Sequence, residues 1–181
     1  MTARRVLISL GALVAGAVVA AAAWDSLKLD RRPPALAGSP ARATTIVVDK
    51  TRRQLMLERD GAVLKTYAVS LGSSPAGHKQ QEGDGRTPEG IYAIDFRHPR
   101  SRYHLALRVS YPNAADKAQA ARRGVSAGGD IMIHGLPNGL GWLGGWHLLR
   151  DWTDGCIAVT NAQIEEIWTM VDVGTRIEIR P

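Results

Sequence analysis

The chain has 181 residues, a formal net charge of +6 from 23 Lys and Arg against 17 Asp and Glu, and a single cysteine. That length suits one domain of ordinary size with a sizeable core, and one cysteine excludes an intrachain disulfide. No basic and aromatic module suited to nucleic acid is present, and no Cys-x-x-Cys or His-Glu-x-x-His pair suits zinc; neither a nucleic-acid partner nor a metal or other cofactor is expected.

Arg4 and Arg5 lead an apolar run from Val6 to Trp24, with small residues at Ala21, Ala22 and Ala23. Residues 1–24 read as a secretory signal peptide or as an N-terminal membrane anchor, since about 20 apolar residues span a bilayer. Residues 25–42 contain Pro33, Pro34, Gly38 and Pro40 among mixed charges and read as a Pro-rich linker. Residues 43–181 are then the domain. If Arg4 and Arg5 leave with a signal, the net charge becomes +4. Such mild basicity fits a solvated surface or attraction to an anionic envelope polymer.

Within the domain, Thr44 to Asp49 is a β-branched strand, Gln54 to Glu58 a second, and Asp60-Gly61 a hairpin turn into a third over Val63 to Leu71. Gly72 to Thr87 is polar and reads as an exposed loop. Ile91 to Phe96 and His104 to Val109 alternate as strands. The alanine-rich stretch from Asn113 to Arg123 predicts a short helix, and an apolar strand then ends at His134. Thr160 and Gln163 form a capping-box pattern before Ile164, Ile167, Trp168 and Val171, whose spacing predicts a helix with a buried face that includes Trp168. Gly174 is expected to end it, and Arg176 to Arg180 alternates as a closing strand.

The chemistry concentrates in two places. His134 closes the run Asp130-Ile131-Met132-Ile133, and Cys156 follows Thr153-Asp154-Gly155, 22 residues later. A thiol needs a base to become a nucleophile, and that much chain allows a strand end, an outward loop and a return. The plainer reading is a buried cysteine packing as a small hydrophobe. Gly155 permits a tight turn, and the N–H groups of Asp154, Gly155 and Cys156 can line a nest for an oxyanion. Between the two places run Gly139, Gly141, Gly144 and Gly145 with Trp142, Trp146 and Trp152, either a lid or substrate wall, or a loop pinned by its own tryptophans. Arg150 suits a substrate carboxylate or an ion pair with Asp151 or Asp154. His147 is expected at the surface, with a place lining the cleft as the alternative, His78 and His98 in polar loops, and His104 in a strand.

Ile133-His134-Gly135, Thr153-Asp154-Gly155-Cys156-Ile157 and the upstream run from Gly83 to Ile94 together resemble the L,D-transpeptidase (YkuD-type) catalytic domain of bacterial cell-wall enzymes. The resemblance implies a mainly β fold, a β-sandwich with one short helix after the cysteine and one further short helix. It implies that Cys156 is the nucleophile, His134 its base, and the Gly135 carbonyl the group that orients the imidazole. Thr153, Arg150, Trp146 and Trp152 are the candidate substrate-binding residues. The implied substrate is a peptidoglycan stem peptide, cut between the L-centre of diaminopimelate and the following D-alanine and passed to another stem as a 3-3 cross-link or to an envelope protein. Carbapenem sensitivity and a place in the periplasm or cell envelope follow, with inner-membrane anchoring if residues 6–24 are retained. The chain departs from the common family pattern at Asp154, where many members have histidine, and at Ala158, where many have arginine. The stretch from Gly155 to Ile167 is closer to a subgroup that includes murein hydrolases, so water as acceptor is the alternative; an inactive wall-binding module is a third.

Overall fold

The computed structural model describes residues 41–181, so the expected signal or anchor over 1–24 and nearly all of the linker lie outside the described residues. Among the described residues no helix is long and apolar enough to cross a membrane. Eight strands run in the order β3-β2-β1-β8-β4-β5-β6-β7. Their spans are β1 Thr45–Asp49, β2 Gln54–Arg59, β3 Ala62–Ala68, β4 Gly90–Ser101, β5 His104–Val109, β6 Met132–His134, β7 Ile157–Ala158 and β8 Arg176–Arg180. The long strand β4 is the pivot. Its first residues pair with β8 and its later ones with β5, with register shifts at Ile94/Phe96 and His98/Ser101. The sheet thus folds over at β4 and closes as a β-sandwich on one core. Ile46, Leu55, Leu57, Ile94, Leu107, Ile133, Ile157 and Ile177 are fully buried there.

Two expectations about β4 and its approach are corrected. The strand continues past Phe96 to Ser101, which places His98 in a strand and not in a polar loop. The segment before it is not an exposed loop. Lys79 is buried and pairs with Asp84 at 2.9 Å, while Asp84 also accepts from the backbone N–H groups of Gln80, Gln81 and Arg86. Burial alone would raise the Asp84 carboxyl, but those hydrogen bonds bring it down to about 2. Polar composition concealed this because the charges satisfy each other inside the fold.

The helices follow their caps. Helix α1 (Ala114–Arg122) starts at Asn113, whose side chain accepts from the Ala115 and Asp116 N–H groups while Asp116 reaches back to the cap. Helix α2 (Asn161–Met170) has the expected box, with Thr160 Oγ1 accepting from the Gln163 N–H and Gln163 Oε1 accepting from the Thr160 N–H. Its Ile164 and Ile167 are fully buried, and the helix packs on β5 and β6. Trp168 is only partly buried, with the Arg97 guanidinium 4.2 Å above its ring. The helix stops at Met170 because Val171 is extended, so Gly174 (φ 93) serves the turn into β8 and not the helix end. Replacing Thr160 with alanine is expected to cost about 1 kcal/mol in urea unfolding by removing one cap acceptor.

A third helical piece, a 3-10 segment over Gly141–Leu149 broken at Gly144, occupies the glycine- and tryptophan-rich stretch. Its apolar side chains are mostly outside. Trp142 is 77% exposed, Trp146 73% and Leu149 79%. They do not pin the loop down.

Candidate active site

Strand pairing brings the histidine and the cysteine to one face. β6 and β7 run parallel with Ile133 opposite Ile157 and His134 opposite Ala158. Ile133 and Ile157 point into the core, so alternation turns Met132, His134 and Cys156 the other way. Cys156 stands beside Met132, two residues along from His134, about 8 Å between Cα positions for ordinary strand spacing and rise. Both side chains line a cavity of about 460 Å³ with Asp130, Met132, Trp152, Thr153 and Asp154.

His134 is buried between two aromatic rings, Tyr103 at 4.5 Å and Trp152 at 5.9 Å between centroids. Its Nδ1 lies 2.7 Å from the Gly135 carbonyl oxygen. A carbonyl only accepts, so Nδ1 carries the proton and Nε2 the lone pair. Burial lowers the imidazole to about 4, the Gly135 carbonyl acts against that, and the neighbouring His147 adds to it. The ring is therefore neutral near pH 7. Gly135 itself is tightly enclosed; its N–H donates to Tyr103 O, and a Cβ there would stand 2.7 Å from Asn161 Oδ1.

Cys156 is half-buried, and its thiol points at the Asp130 carbonyl, 3.5 Å away. Burial pushes the thiol above its usual value; a backbone hydrogen bond at Met132 opposes this, Asp154 reinforces it, and Lys79 and Asp130 have smaller opposed effects. The resting pair is thus a thiol and a neutral imidazole, with no preformed ion pair. Asp154→Asn removes a repulsion worth about 0.5–1 kcal/mol across partly solvated space. Alkylation of Cys156 by iodoacetamide at pH 7.5 should quicken about two- to fivefold in that variant, since the thiolate reacts.

The turn before the cysteine is held from within and from outside. Thr153 Oγ1 donates to the Cys156 carbonyl at 2.8 Å and accepts the Gly155 N–H at 3.1 Å. The buried Thr153 hydroxyl is therefore committed to the turn, and so is one of the three expected oxyanion donors; the N–H groups of Asp154 and Cys156 are left as candidates. Ser70 exchanges two backbone hydrogen bonds with Ala158, while Leu71 O accepts from Thr153 and Ser73 donates to it. The residues expected to finish the third strand instead clamp both flanks of Cys156.

Other expected site residues lie elsewhere. Arg150 and Trp146 line a neighbouring cavity of about 480 Å³, with Trp152 as the wall it shares with the cysteine cavity. Asp151 binds Arg53 at 2.8 Å and accepts the Leu71 N–H, so it does not take up Arg150. His147 is buried, not at the surface, because it packs on Ser70. Among the described residues no group of three His, Cys, Asp or Glu is placed to hold a metal ion. The cysteine cavity also takes His98, Ser101, Arg102 and Tyr103 from the β4–β5 hairpin, which sequence reading missed. No local signal marks them, as Ser101-Arg102-Tyr103 lacks the glycine or asparagine of an obvious turn.

Known proteins are similar to this chain in sequence or in fold. YafK of Escherichia coli K12, whose name assigns it provisionally to the L,D-transpeptidases, is 32% identical over 111 residues, 60% of this chain and 37% of its own length. The helical cell shape determining protein Pgp2 of Campylobacter jejuni has a crystal structure matching with a TM-score of 0.58 at 28% identity, over 75% of this chain and 46% of that one. An L,D-transpeptidase from Mycobacterium smegmatis matches in fold, with a TM-score of 0.50 at 18% identity over 76% of this chain and 58% of its own. The chain thus spans well under two thirds of these relatives. The profile of the YkuD L,D-transpeptidase catalytic domain matches residues 43–179, and the chain belongs to that family.

Proposed function

We propose that this chain is a cysteine acyltransferase acting on peptidoglycan stem peptides. The observation that carries the reading is the neutral His134, its Nδ1–H fixed on the Gly135 carbonyl and its basic Nε2 left for the cavity that Cys156 shares. In the first half-reaction Nε2 takes the thiol proton as sulfur attacks the carbonyl between diaminopimelate and D-alanine. The N–H groups of Asp154 and Cys156 steady the oxyanion, and the imidazolium protonates the departing amine, leaving a thioester. In the second half, an acceptor amine attacks the thioester, gives its proton to Nε2, and sulfur leaves. A stem-peptide amine yields a 3-3 cross-link, and an amine of an envelope protein yields attachment. Export through residues 1–24 and a spacer over 25–42 complete the proposal, placing the domain in the periplasm or held at the inner membrane.

Hydrolysis is the second reading. The likeness to Pgp2, named for cell shape, exceeds the likeness to the mycobacterial transpeptidase, and shape responds to trimming as well as to cross-linking. Incubating the full-length protein with tetrapeptide muropeptides and weighing the products separates the two. Cross-linked dimers support transfer, and tripeptide monomers alone support water as acceptor. Absence of both, together with no covalent adduct at Cys156, would leave only a wall-binding module.

A further inference from the structure

Among the described residues, the 3-10 segment leaves an apolar face uncovered. Trp142, Trp146 and Leu149 are exposed over most of their area, and Leu140 and Leu148 over a smaller part. Leu140, Trp146 and Leu149 also line the cavity of about 480 Å³ that Leu136, Pro137 and Leu143 help to wall, so they gather around one opening and are not scattered. No charged residue lies between Leu136 and Leu149. The exposed cation Arg150 lines the same cavity and makes no ion pair among the described residues, as Asp151 is taken by Arg53.

A contiguous exposed apolar face marks a binding surface, and its chemistry selects the occupant. A second copy of the chain fits poorly, because these side chains present about 500 Å² where a standard protein interface buries about 800 Å² per partner. A glycan fits poorly too, since sugar hydroxyls need polar side chains beside the rings. The only polar side chains from 136 to 149 are Asn138 and His147. Asn138 is engaged with the His104 N–H and the Ser101 carbonyl, and His147 is buried against Ser70. A bilayer surface asks for what is present: tryptophan and leucine to enter the boundary between headgroups and acyl chains, and a cation for lipid phosphate. We propose that this face docks on an anionic phospholipid bilayer, with Trp142, Trp146 and Leu149 inserted and Arg150 at the headgroups. The proposal rests on the reading of residues 6–24 as a retained anchor. The 18 residues from 25 to 42 extend to at most about 60 Å, so an anchored domain stays within reach of the membrane. At that effective concentration a face too small to hold a free partner is enough. Docking also keeps the cysteine cavity near the bilayer, because Trp152 walls both cavities.

The test places full-length protein carrying fluorotryptophan in nanodiscs of phosphatidylethanolamine and phosphatidylglycerol, with and without a spin-labelled lipid. The fluorine signals of Trp24, Trp142 and Trp146 are identified by their loss in the single Trp→Phe variants. Trp24, at the end of the apolar run, reports the anchor. Trp142 and Trp146 should broaden beyond detection when the spin-labelled lipid is present. Trp146→Glu combined with Leu149→Glu charges two exposed positions without disturbing the core, and should restore the Trp142 signal while Trp24 stays broadened. Sharp Trp142 and Trp146 signals beside a broadened Trp24, or broadening that the double variant leaves unchanged, overturns the proposal. Two other results also overturn it: broadening that needs no spin label and grows with protein concentration, the mark of a second copy, and signals that stay sharp with lipid but move with an N-acetylated disaccharide, the mark of glycan. Sharp signals at all three tryptophans overturn the anchor reading and the docking together. Thioester formation at Cys156 is followed in the same discs. Its loss beside intact broadening overturns the acyl-transfer reading alone.

Discussion

Replacing His134 with glutamine should lower kcat/KM on a tetrapeptide muropeptide by about 10²–10⁴-fold, the range typical of general acid–base catalysis. The size follows from the resting state. Because burial and Asp154 hold the Cys156 thiol above its ordinary value, solvent cannot supply much thiolate near pH 7, and the proton must go to the imidazole. The pH profile gives an independent check. Wild-type activity should fall only as pH drops through about 4, where His134 is protonated, and not near the usual 6.5. In His134→Gln that acid limb disappears, and the residual rate climbs with alkali as the thiol ionises by itself.

The same burial links His134 to stability. Its folded-state value lies below the unfolded one, so the neutral ring's contribution is complete above about pH 6.5. It is lost as pH falls from there to about 4, amounting to about 3 kcal/mol. The wild-type stability curve should bend downward across that window relative to His134→Gln. Parallel curves would remove this link to stability, and an acid limb that survives in the variant would remove His134 from the mechanism.

What could be read from the residues alone was whatever is local or periodic. β1, β2 and β8 alternate or run β-branched, Asp60-Gly61 turns with both residues at positive φ, and Thr160 with Gln163 caps α2 as their spacing requires. His134 and Cys156 stand out because a short apolar strand and a glycine turn frame them. What stayed hidden depends on partners distant in sequence. Lys79 reads as solvated until Asp84 is seen folded against it, and His147 until Ser70 is found beneath it. The hairpin residues His98 and Arg102 reach the cavity because β4 bends midway, and a bend forced by two pairing partners leaves no mark on composition. The 3-10 segment escaped for a different reason. Its tryptophans and leucines face outward, so no buried stripe forms at a 3.6-residue period.

The largest expected loss of stability belongs to Gly155→Ala. Gly155 adopts φ +126, a region that side-chain-bearing residues rarely enter, which costs about 1–3 kcal/mol in itself. A Cβ there would also stand 2.5 Å from the Arg86 carbonyl oxygen and 3.1 Å from Ile131 Cδ1. The Arg86 backbone cannot move aside cheaply. Its N–H is fixed on Asp84, Gly85 O accepts from Ser74, and Thr87 Oγ1 accepts from Gly72. The turn must yield instead, carrying Cys156 off the face it shares with His134. A destabilisation above about 3 kcal/mol is expected, lowering Tm by about 10 °C for a chain of this size. Acyl-enzyme formation should fall even at temperatures where the variant stays folded. Gly61→Ala is the control, because Gly61 also has positive φ (+81) but nothing within 4 Å of a new Cβ. It should cost only the backbone strain, about 1 kcal/mol, and leave acylation untouched. If the two alanine variants melt together and acylate alike, the contact between the 84–87 segment and the cysteine turn is not what sets the thiol in place.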